Sequence, residues 1–233
     1  MEQAEAALAL DPRMEAAHLQ LGQIFLSHNT AQAALEVFSE ALLILPDSFL
    51  SRLGKGLALK DLGRYPEAEA ELLANLARRP DYPIAFDALA TAYLQAKRFD
   101  DLNHLASGYF ARQPVDYRGA YFQAAALDGL KGDTGRIEAL VTEAIRRNPK
   151  FAAAHALLGK TLLLQGDSQG AVAPLETALR LRPDYAPAAF HLAQAYRNLG
   201  ERANAEQALQ QFQTLKKLEQ SPQPTLLYHR GKR

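Results

Sequence analysis

Apolar positions recur along the chain with a fixed period of 34 residues. The clearest copy runs from residue 152 to residue 185. It contains two runs in which apolar residues return every three or four positions, separated by a turn at Gly166-Asp167. This spacing is typical of helices that bury one face. Each unit is therefore predicted to be a pair of antiparallel helices, and the array predicts an all-α solenoid of stacked helical hairpins.

Six units can be placed in phase along the sequence. We expect repeats at 15–48, 49–82, 83–116, 118–151, 152–185 and 186–219, preceded by a half-repeat at 2–14 and followed by an extended tail at 220–233. One residue is left over before the fourth unit, because Pro114 and Pro149 are 35 residues apart, and we expect it in the connection between units three and four. The half-repeat has two interpretations, a capping helix or part of a longer chain.

Turn residues with a left-handed backbone are predicted at one fixed place in each unit. We expect them at Asn29, Gly63, Gly132, Gly166 and Gly200, because glycine and asparagine accept this conformation at helix ends. In the third unit the same place is held by a lysine, residue 97. A Cβ atom makes the left-handed conformation costly, so this turn is expected to be strained or differently shaped.

The first unit resembles the tetratricopeptide repeat family. The family pattern is matched by Leu21-Gly22, Phe25, Ala34, Phe38, Ala41 and Pro46. The resemblance covers about residues 2–219. It implies a right-handed superhelix of antiparallel helix pairs, with a concave groove lined by the first helix of each pair. It also implies a non-enzymatic scaffold or adaptor that binds a peptide or partner protein in that groove.

Several residues depart from the family pattern. His18, Arg52 and His155 stand where the family often has tryptophan, and Asn75 stands where alanine is usual. Asp128 falls where an aromatic residue is usual. Because a charged residue packs poorly in a helix interface, we expect unit four to be the least stable part of the array and to open locally first.

The register of the resemblance also implies which residues line the groove. On the first helices of units one to three they are Leu19, Gln23, Leu26, Leu50, Leu53, Leu57, Lys60, Ile84, Asp87, Thr91 and Leu94. On units four to six they are Phe122, Ala126, Leu130, Lys160, Leu163, Phe190, Gln194, Arg197 and Asn198. This row is largely apolar, with basic residues near its C-terminal end, and indicates a protein or peptide partner with apolar anchors. The alternative, that these residues are ordinary packing between repeats, stays open.

Charge and composition narrow the class of partner. The chain has 26 basic and 26 acidic residues and a net charge of zero, so no nucleic acid partner is expected. No apolar run approaches the length of a membrane span, so no membrane insertion is expected. The first residues lack the features of a signal peptide. This favours a cytoplasmic location, or a periplasmic one if a signal peptide has been removed.

Neither the histidines nor the glycine-rich turn indicates a catalytic, metal or cofactor site. The chain has no cysteine. His18 and His155 occupy the same place in distant units, and no two histidines have the spacing of a metal motif. The stretch Gly-Asp-Thr-Gly at 132–135 lacks the Lys-Ser/Thr of a phosphate loop. We therefore expect a protein that is not an enzyme and needs no cofactor.

The leading functional hypothesis is a scaffold that binds an apolar peptide, a helix or a partner domain in the groove. One alternative is an RNA-binding helical-repeat protein, which the neutral charge and the leucine-rich row disfavour. Another is a regulatory repeat module cut from a larger multidomain protein or enzyme.

The C-terminal tail carries a further expectation. Two prolines, Pro222 and Pro224, precede the apolar triplet Leu226, Leu227 and Tyr228, and prolines favour an extended backbone. We predict that the triplet packs on an apolar surface. The surface is either the exposed face of repeat six or the groove of a neighbouring copy, and the second choice would produce self-association.

Overall fold

A computed structural model describes residues 1–220 of the chain, and its side chains as far as Leu218. All thirteen regular elements in this part of the chain are α-helices. The predicted fold class, an all-α helical-repeat protein, is confirmed. The predicted packing of the tail triplet Leu226–Tyr228 lies outside the described residues.

The chain divides into two compact units, called the first and the second unit, each of which contains several of the 34-residue repeats. The first, residues 1–96, holds α1 to α6, with bounds Glu2–Leu10, Glu15–Ser27, Ala31–Ile44, Phe49–Asp61, Tyr65–Arg78 and Pro83–Gln95. Consecutive helices are joined by short turns and pack against each other. In addition α2 packs on α4, and α4 packs on α6. The first helices of successive repeats therefore form a layer of their own in this unit.

The second unit begins at Lys97 and holds α7 to α13. Their bounds are Phe99–Arg112, Tyr117–Gly129, Thr134–Arg147, Ala152–Leu164, Ser168–Leu181, Ala186–Asn198 and Arg202–Gln220. Consecutive helices again pack in order, and α10 also packs on α12. A core formed by α10 to α13 contains small alanines around Leu175 and Leu192.

Bulky side chains of the second helices sit directly on glycines of the first helices. In the first unit, the ring of Phe38 on α3 lies between Gly22 on α2 and Gly54 on α4. A methyl group at these glycines would stand 2.3 Å and 2.4 Å from Phe38 Cζ. In the second unit, Leu175 occupies the space in front of Gly159 in the same way, with 2.4 Å to its Cγ. These contacts set how closely the helices approach.

The turns between paired helices use one left-handed residue each, and one of them differs from expectation. Asn29, Gly63, Gly166 and Gly200 have positive φ angles of 55°, 71°, 87° and 79°. Gly132 is not left-handed, so that expectation is wrong. Its neighbour Lys131 takes the conformation with φ 55°, and Lys97 also takes it, with φ 57°. The two lysines therefore carry the strain of about 1–2 kcal/mol expected for a left-handed residue with a Cβ atom.

The position of Lys131 corrects the register of the fourth repeat. Helix α8 begins at Tyr117, one residue before the expected start, and α9 begins at Thr134. The additional residue is therefore Gly132, in the turn, and does not precede the first helix. The shift moves Leu127 into the place expected for an aromatic residue and turns Asp128 away from it. Asp128 was the reason for expecting repeat four to be the least stable repeat, and that reason no longer holds.

Three polar residues, His18, Arg52 and His155, stand where the family often has tryptophan, and all three bind the same kind of group. Each side chain reaches back to the backbone carbonyl of the proline six residues earlier. The bonds join His18 Nε2 to Pro12 O, Arg52 Nη2 to Pro46 O and His155 Nε2 to Pro149 O, all at 2.9 Å. Each replacement thus satisfies a carbonyl group that follows the end of the preceding helix.

Asn75 is fully buried and also has a structural role. With its amide oriented to satisfy both groups, Nδ2 donates to Phe49 O at 3.0 Å and Oδ1 accepts from Leu53 N at 2.9 Å. A buried polar side chain is costly unless it is hydrogen-bonded. Here the two bonds tie α5 to the first turn of α4.

We predict that Gly54→Ala destabilises the chain by about 1–3 kcal/mol, because the new methyl group overlaps the ring of Phe38. Gly108→Ala is the matched control. It also lies within a helix, but a methyl group there meets only Arg112 Nη1, at 3.4 Å. Gly108→Ala should stabilise by roughly 0.5–1 kcal/mol through the helix preference of alanine. Urea unfolding followed by circular dichroism measures both changes.

A double-mutant cycle identifies the cause. In a Phe38→Leu background the additional cost of Gly54→Ala should shrink, since the clashing ring is gone. Equal costs in the two backgrounds would show that the ring does not set this helix distance.

Candidate partner-binding surface

In the first compact unit, residues 1–96, apolar side chains of the expected groove lie on the first helices of the repeats. Leu50 on α4 is 43% exposed and Ile84 on α6 is 51% exposed. Four half-buried leucines lie on the same three helices, at Leu19, Leu26, Leu57 and Leu94. We call these six residues the apolar strip. They are carried by α2, α4 and α6, which pack side by side.

Leu53 does not belong to the strip. Its side chain is only 5% exposed, and α4 packs on both α2 and α6. Leu53 therefore does not offer an open surface to a partner. The polar residues of the expected groove remain accessible to different degrees: Gln23 and Asp87 are exposed, Thr91 is half-buried, and Lys60 pairs with Asp61 at 2.8 Å.

The second unit presents a different mixture. Phe122 and Ala126 are buried, so neither lies in an open groove. The one-residue shift of α8 explains this, because it turns both side chains toward the helix interfaces. Leu130 and Phe190 are exposed, and Leu163 is half-buried.

A polar cluster occupies the first helices of the second unit. Lys160 Nζ on α10 contacts Asp128 Oδ2 on α8 at 2.6 Å, and both side chains are partly buried. His191 on α12 lies near this pair. Its Nδ1 atom is buried and has no hydrogen-bond partner among the described residues. We call Asp128, Lys160, His191 and Gln194 the polar cluster.

Burial is the main cause that lowers the pKa of His191 from its usual 6.5. The positive charge of Lys160 lowers it further, whereas a hydrogen bond with Gln194 and the charge of Asp128 oppose the shift. The imidazole is therefore held in its neutral form at neutral pH.

Sequence reasoning missed two members of the polar cluster. It treated Asp128 as a packing defect and His191 as one of several isolated histidines. The available signal was spacing: Asp128 and Lys160 are 32 residues apart, close to one repeat, so adjacent first helices bring them together.

The remaining residues of the expected row lie at the end of the second unit. Asn198 Nδ2 donates to Ser168 Oγ at 3.0 Å, which ties α12 to α11. The ring of Phe190 packs on Phe212 of α13, with 5.3 Å between centroids. A groove of about 490 Å³ opens beside Phe190, and Arg197, Arg202 and Glu206 contribute its charges. We call it the α12–α13 groove.

Within the described residues, no group of three or more histidine or acidic side chains is arranged to hold a metal ion. None of the helices in the same part of the chain has both the length and the apolar character needed to cross a membrane.

Sequence profiles described as tetratricopeptide repeat match most of the chain. One matches residues 2–48, 53–101 and 137–186. A second matches residues 162–213. The chain belongs to the tetratricopeptide repeat family.

Two curated proteins match part of the chain, and a solved structure shares its fold. The chain is 31% identical over 150 residues to protein FlbA of Caulobacter vibrioides, covering 62% of this chain and 24% of FlbA. It is 35% identical over 150 residues to cellulose synthase 2 operon protein C of Komagataeibacter xylinus, covering 62% of this chain and 11% of that protein. A tetratricopeptide repeat protein of Parabacteroides merdae superposes with a TM-score of 0.73 at 16% identity, covering 93% of this chain and 88% of the other. The chain thus spans a quarter or less of its two curated relatives.

We predict that His191 titrates below pH 6.5 in the folded protein. The unfolded state then takes up the proton first, so the contribution of this residue to stability is present above pH 6.5 and is lost as the pH falls through the folded pKa. The unfolding free energy of the wild type should therefore decrease more steeply with falling pH than that of His191→Gln. An NMR titration of the imidazole gives the pKa directly.

Two substitutions test the assigned causes. Lys160→Met should raise the pKa of His191, because it removes a nearby positive charge, and Asp128→Asn should lower it. A pKa of His191 at or above 6.5 in the wild type would contradict the arrangement.

Proposed function

We propose that this tetratricopeptide repeat chain is a non-enzymatic scaffold for protein–protein interactions, and that the apolar strip of its first unit binds apolar anchors of a partner peptide or helix. The observation that carries the proposal is the exposure of Leu50 and Ile84 at equivalent places on adjacent first helices. Clustered apolar side chains on a protein surface commonly mark an interaction site.

The geometry of the strip suggests the spacing of the partner's anchors. Leu50 and Ile84 are the second residues of α4 and α6, and packed helices lie about 8–10 Å apart. A polyproline II peptide advances about 3.1 Å per residue with three residues per turn, so anchors on one face would be three residues apart. A helix rises about 1.5 Å per residue and brings residues about two turns apart onto one face, so its anchors would be about seven residues apart.

The charges near the strip favour a protein partner over RNA. Lys60 is paired with Asp61, and Asp87 adds a negative charge to the same row of helices. An RNA-binding array would need basic groups repeated along this row to neutralise phosphates.

The polar cluster gives the second unit a different selectivity. Lys160 and Asp128 form an ion pair at 2.6 Å, and their side chains are 34% and 18% exposed, so a ligand that covers this place must meet both charges. Removing water from a charged pair is costly unless the ligand supplies hydrogen bonds to it. A partner with polar groups at this place would therefore be preferred over one that presents only apolar surface.

The experiment uses a random peptide library displayed on phage and selected against the immobilised chain. We expect selected peptides to carry apolar residues at one of the two spacings above. The double variant Leu50→Glu, Ile84→Glu should weaken their binding by roughly 30-fold or more, as expected for the loss of central apolar anchors. Fluorescence anisotropy measures the affinity, and the melting temperature should change little because both side chains are exposed.

Two variants serve as controls. Leu73→Glu changes a leucine that is 44% exposed on the second helix α5, and it should leave peptide binding intact. Leu53→Glu should instead lower the melting temperature strongly, because it buries a charge. Unchanged binding in the double variant, or an equal loss in Leu73→Glu, would place the interaction elsewhere.

A further inference from the structure

A second groove lies on the first unit, between α1 and α3, away from the apolar strip. It encloses about 430 Å³. Leu21 of α2 contributes to its base, and Leu8, Val37, Leu43 and Ile44 contribute apolar walls. Leu43 is 83% exposed, so this groove presents apolar surface that the described residues leave uncovered. We call it the α1–α3 groove.

The charges that line the α1–α3 groove are acidic. They come from Glu5 on α1 and from Glu36 and Glu40 on α3, and among residues 1–220 no lysine or arginine lines it. Glu36 accepts a hydrogen bond from the neutral amide of Gln32 at 3.2 Å, which leaves its charge in place. His18 also lines the groove, with its Nε2 atom directed to Pro12 O.

The sequence beyond the described residues has the complementary character. The apolar triplet at 226–228 is followed by His229, Arg230, Gly231, Lys232 and Arg233, and residues 221–233 contain no acidic side chain. Residues 1–220 therefore carry an excess of three acidic charges. An apolar triplet next to a basic end matches an apolar groove with an acidic rim in both respects.

We infer that the C-terminal segment 225–233 of this protein is a ligand of the α1–α3 groove. Leu226, Leu227 and Tyr228 cover its apolar walls, and the basic residues after them face the glutamates of its rim. This interaction is separate from the binding of a partner to the apolar strip.

Charge distinguishes this groove from the other sites considered for the tail. The α12–α13 groove on the last repeat is lined by Arg197 and Arg202 and by a single acid, Glu206, so a basic segment would meet like charges there. Beside the apolar strip, Asp61 is already paired with Lys60 at 2.8 Å. Charge complementarity sets orientation and suppresses wrong partners even where it adds little affinity.

Photo-crosslinking in the full-length chain tests the inference. A photoreactive benzoylphenylalanine replaces Leu227, and crosslinked peptides are identified by mass spectrometry after irradiation. We expect crosslinks to α1 and α3, around Leu8 and Ile44. The yield should fall several-fold in 1 M salt, because screening weakens contacts between exposed charges. Crosslinks that map to α12 and α13, or no specific crosslink, would overturn the inference.

Charge variants separate the proposed contact from accidental proximity. Glu5→Arg with Glu36→Arg should reduce the crosslink yield several-fold, and adding Arg230→Glu with Lys232→Glu should restore it. Glu206→Arg is the matched control, because it reverses an acidic charge at the α12–α13 groove, and it should leave the yield unchanged. Failure of the charge swap to restore crosslinking would contradict the electrostatic match. The peptide selection on the apolar strip is read independently, so either proposal can fail alone.

Discussion

The fold depends on a close contact between a large side chain of one helix and a glycine of the next. The ring of Phe38 illustrates it, because it fills the space in front of Gly22 and Gly54 at once. One residue of α3 therefore sets the distance to α2 within its own repeat and to α4 in the following repeat. Dispersion contacts of this kind are individually small but are lost together if the helices separate. The same constraint brings α2, α4 and α6 into one layer, and that layer is what aligns the apolar strip.

The array accepts polar residues where they satisfy backbone groups. A helix ends with carbonyl groups that lack intrahelical partners, and a proline that follows ends the helix without offering an N–H group. His18, Arg52 and His155 each donate to such a carbonyl. Asn75 on α5 likewise hydrogen-bonds two backbone groups of α4, Phe49 O and Leu53 N. These substitutions look unfavourable in sequence, yet each exchanges apolar contact for a hydrogen bond that connects consecutive elements.

Periodicity was enough to predict the helices and their pairing, since both follow from residue spacing within a single repeat, and the resemblance of repeat one to a known pattern predicted the family. It was not enough to place the additional residue of repeat four. An insertion before α8 and an insertion in the following turn both leave Pro114 and Pro149 the same distance apart. The glycine at 132 favoured one choice, but the chain uses Lys131 as its left-handed residue. The consequence is a rotation of α8 that buries Phe122 and Ala126 and directs Asp128 toward Lys160. Leu53 shows a second limit, because an inner first helix has neighbours on both sides and its apolar residues can face either a neighbour or the groove.

The two compact units therefore carry different side-chain chemistry on their first helices, although both are built from the same type of repeat. In the first unit Leu50 and Ile84 offer apolar area, whose contribution to binding grows with the surface that a partner buries. In the second unit the Lys160–Asp128 pair and His191 occupy the row, and their net contribution depends on whether a partner completes their hydrogen bonds. Exposed apolar residues can contact many partners of similar size, whereas a partner that covers the Lys160–Asp128 pair must supply hydrogen bonds to it or leave two charges without water. Affinity is thus expected to come mainly from the first unit and discrimination mainly from the second.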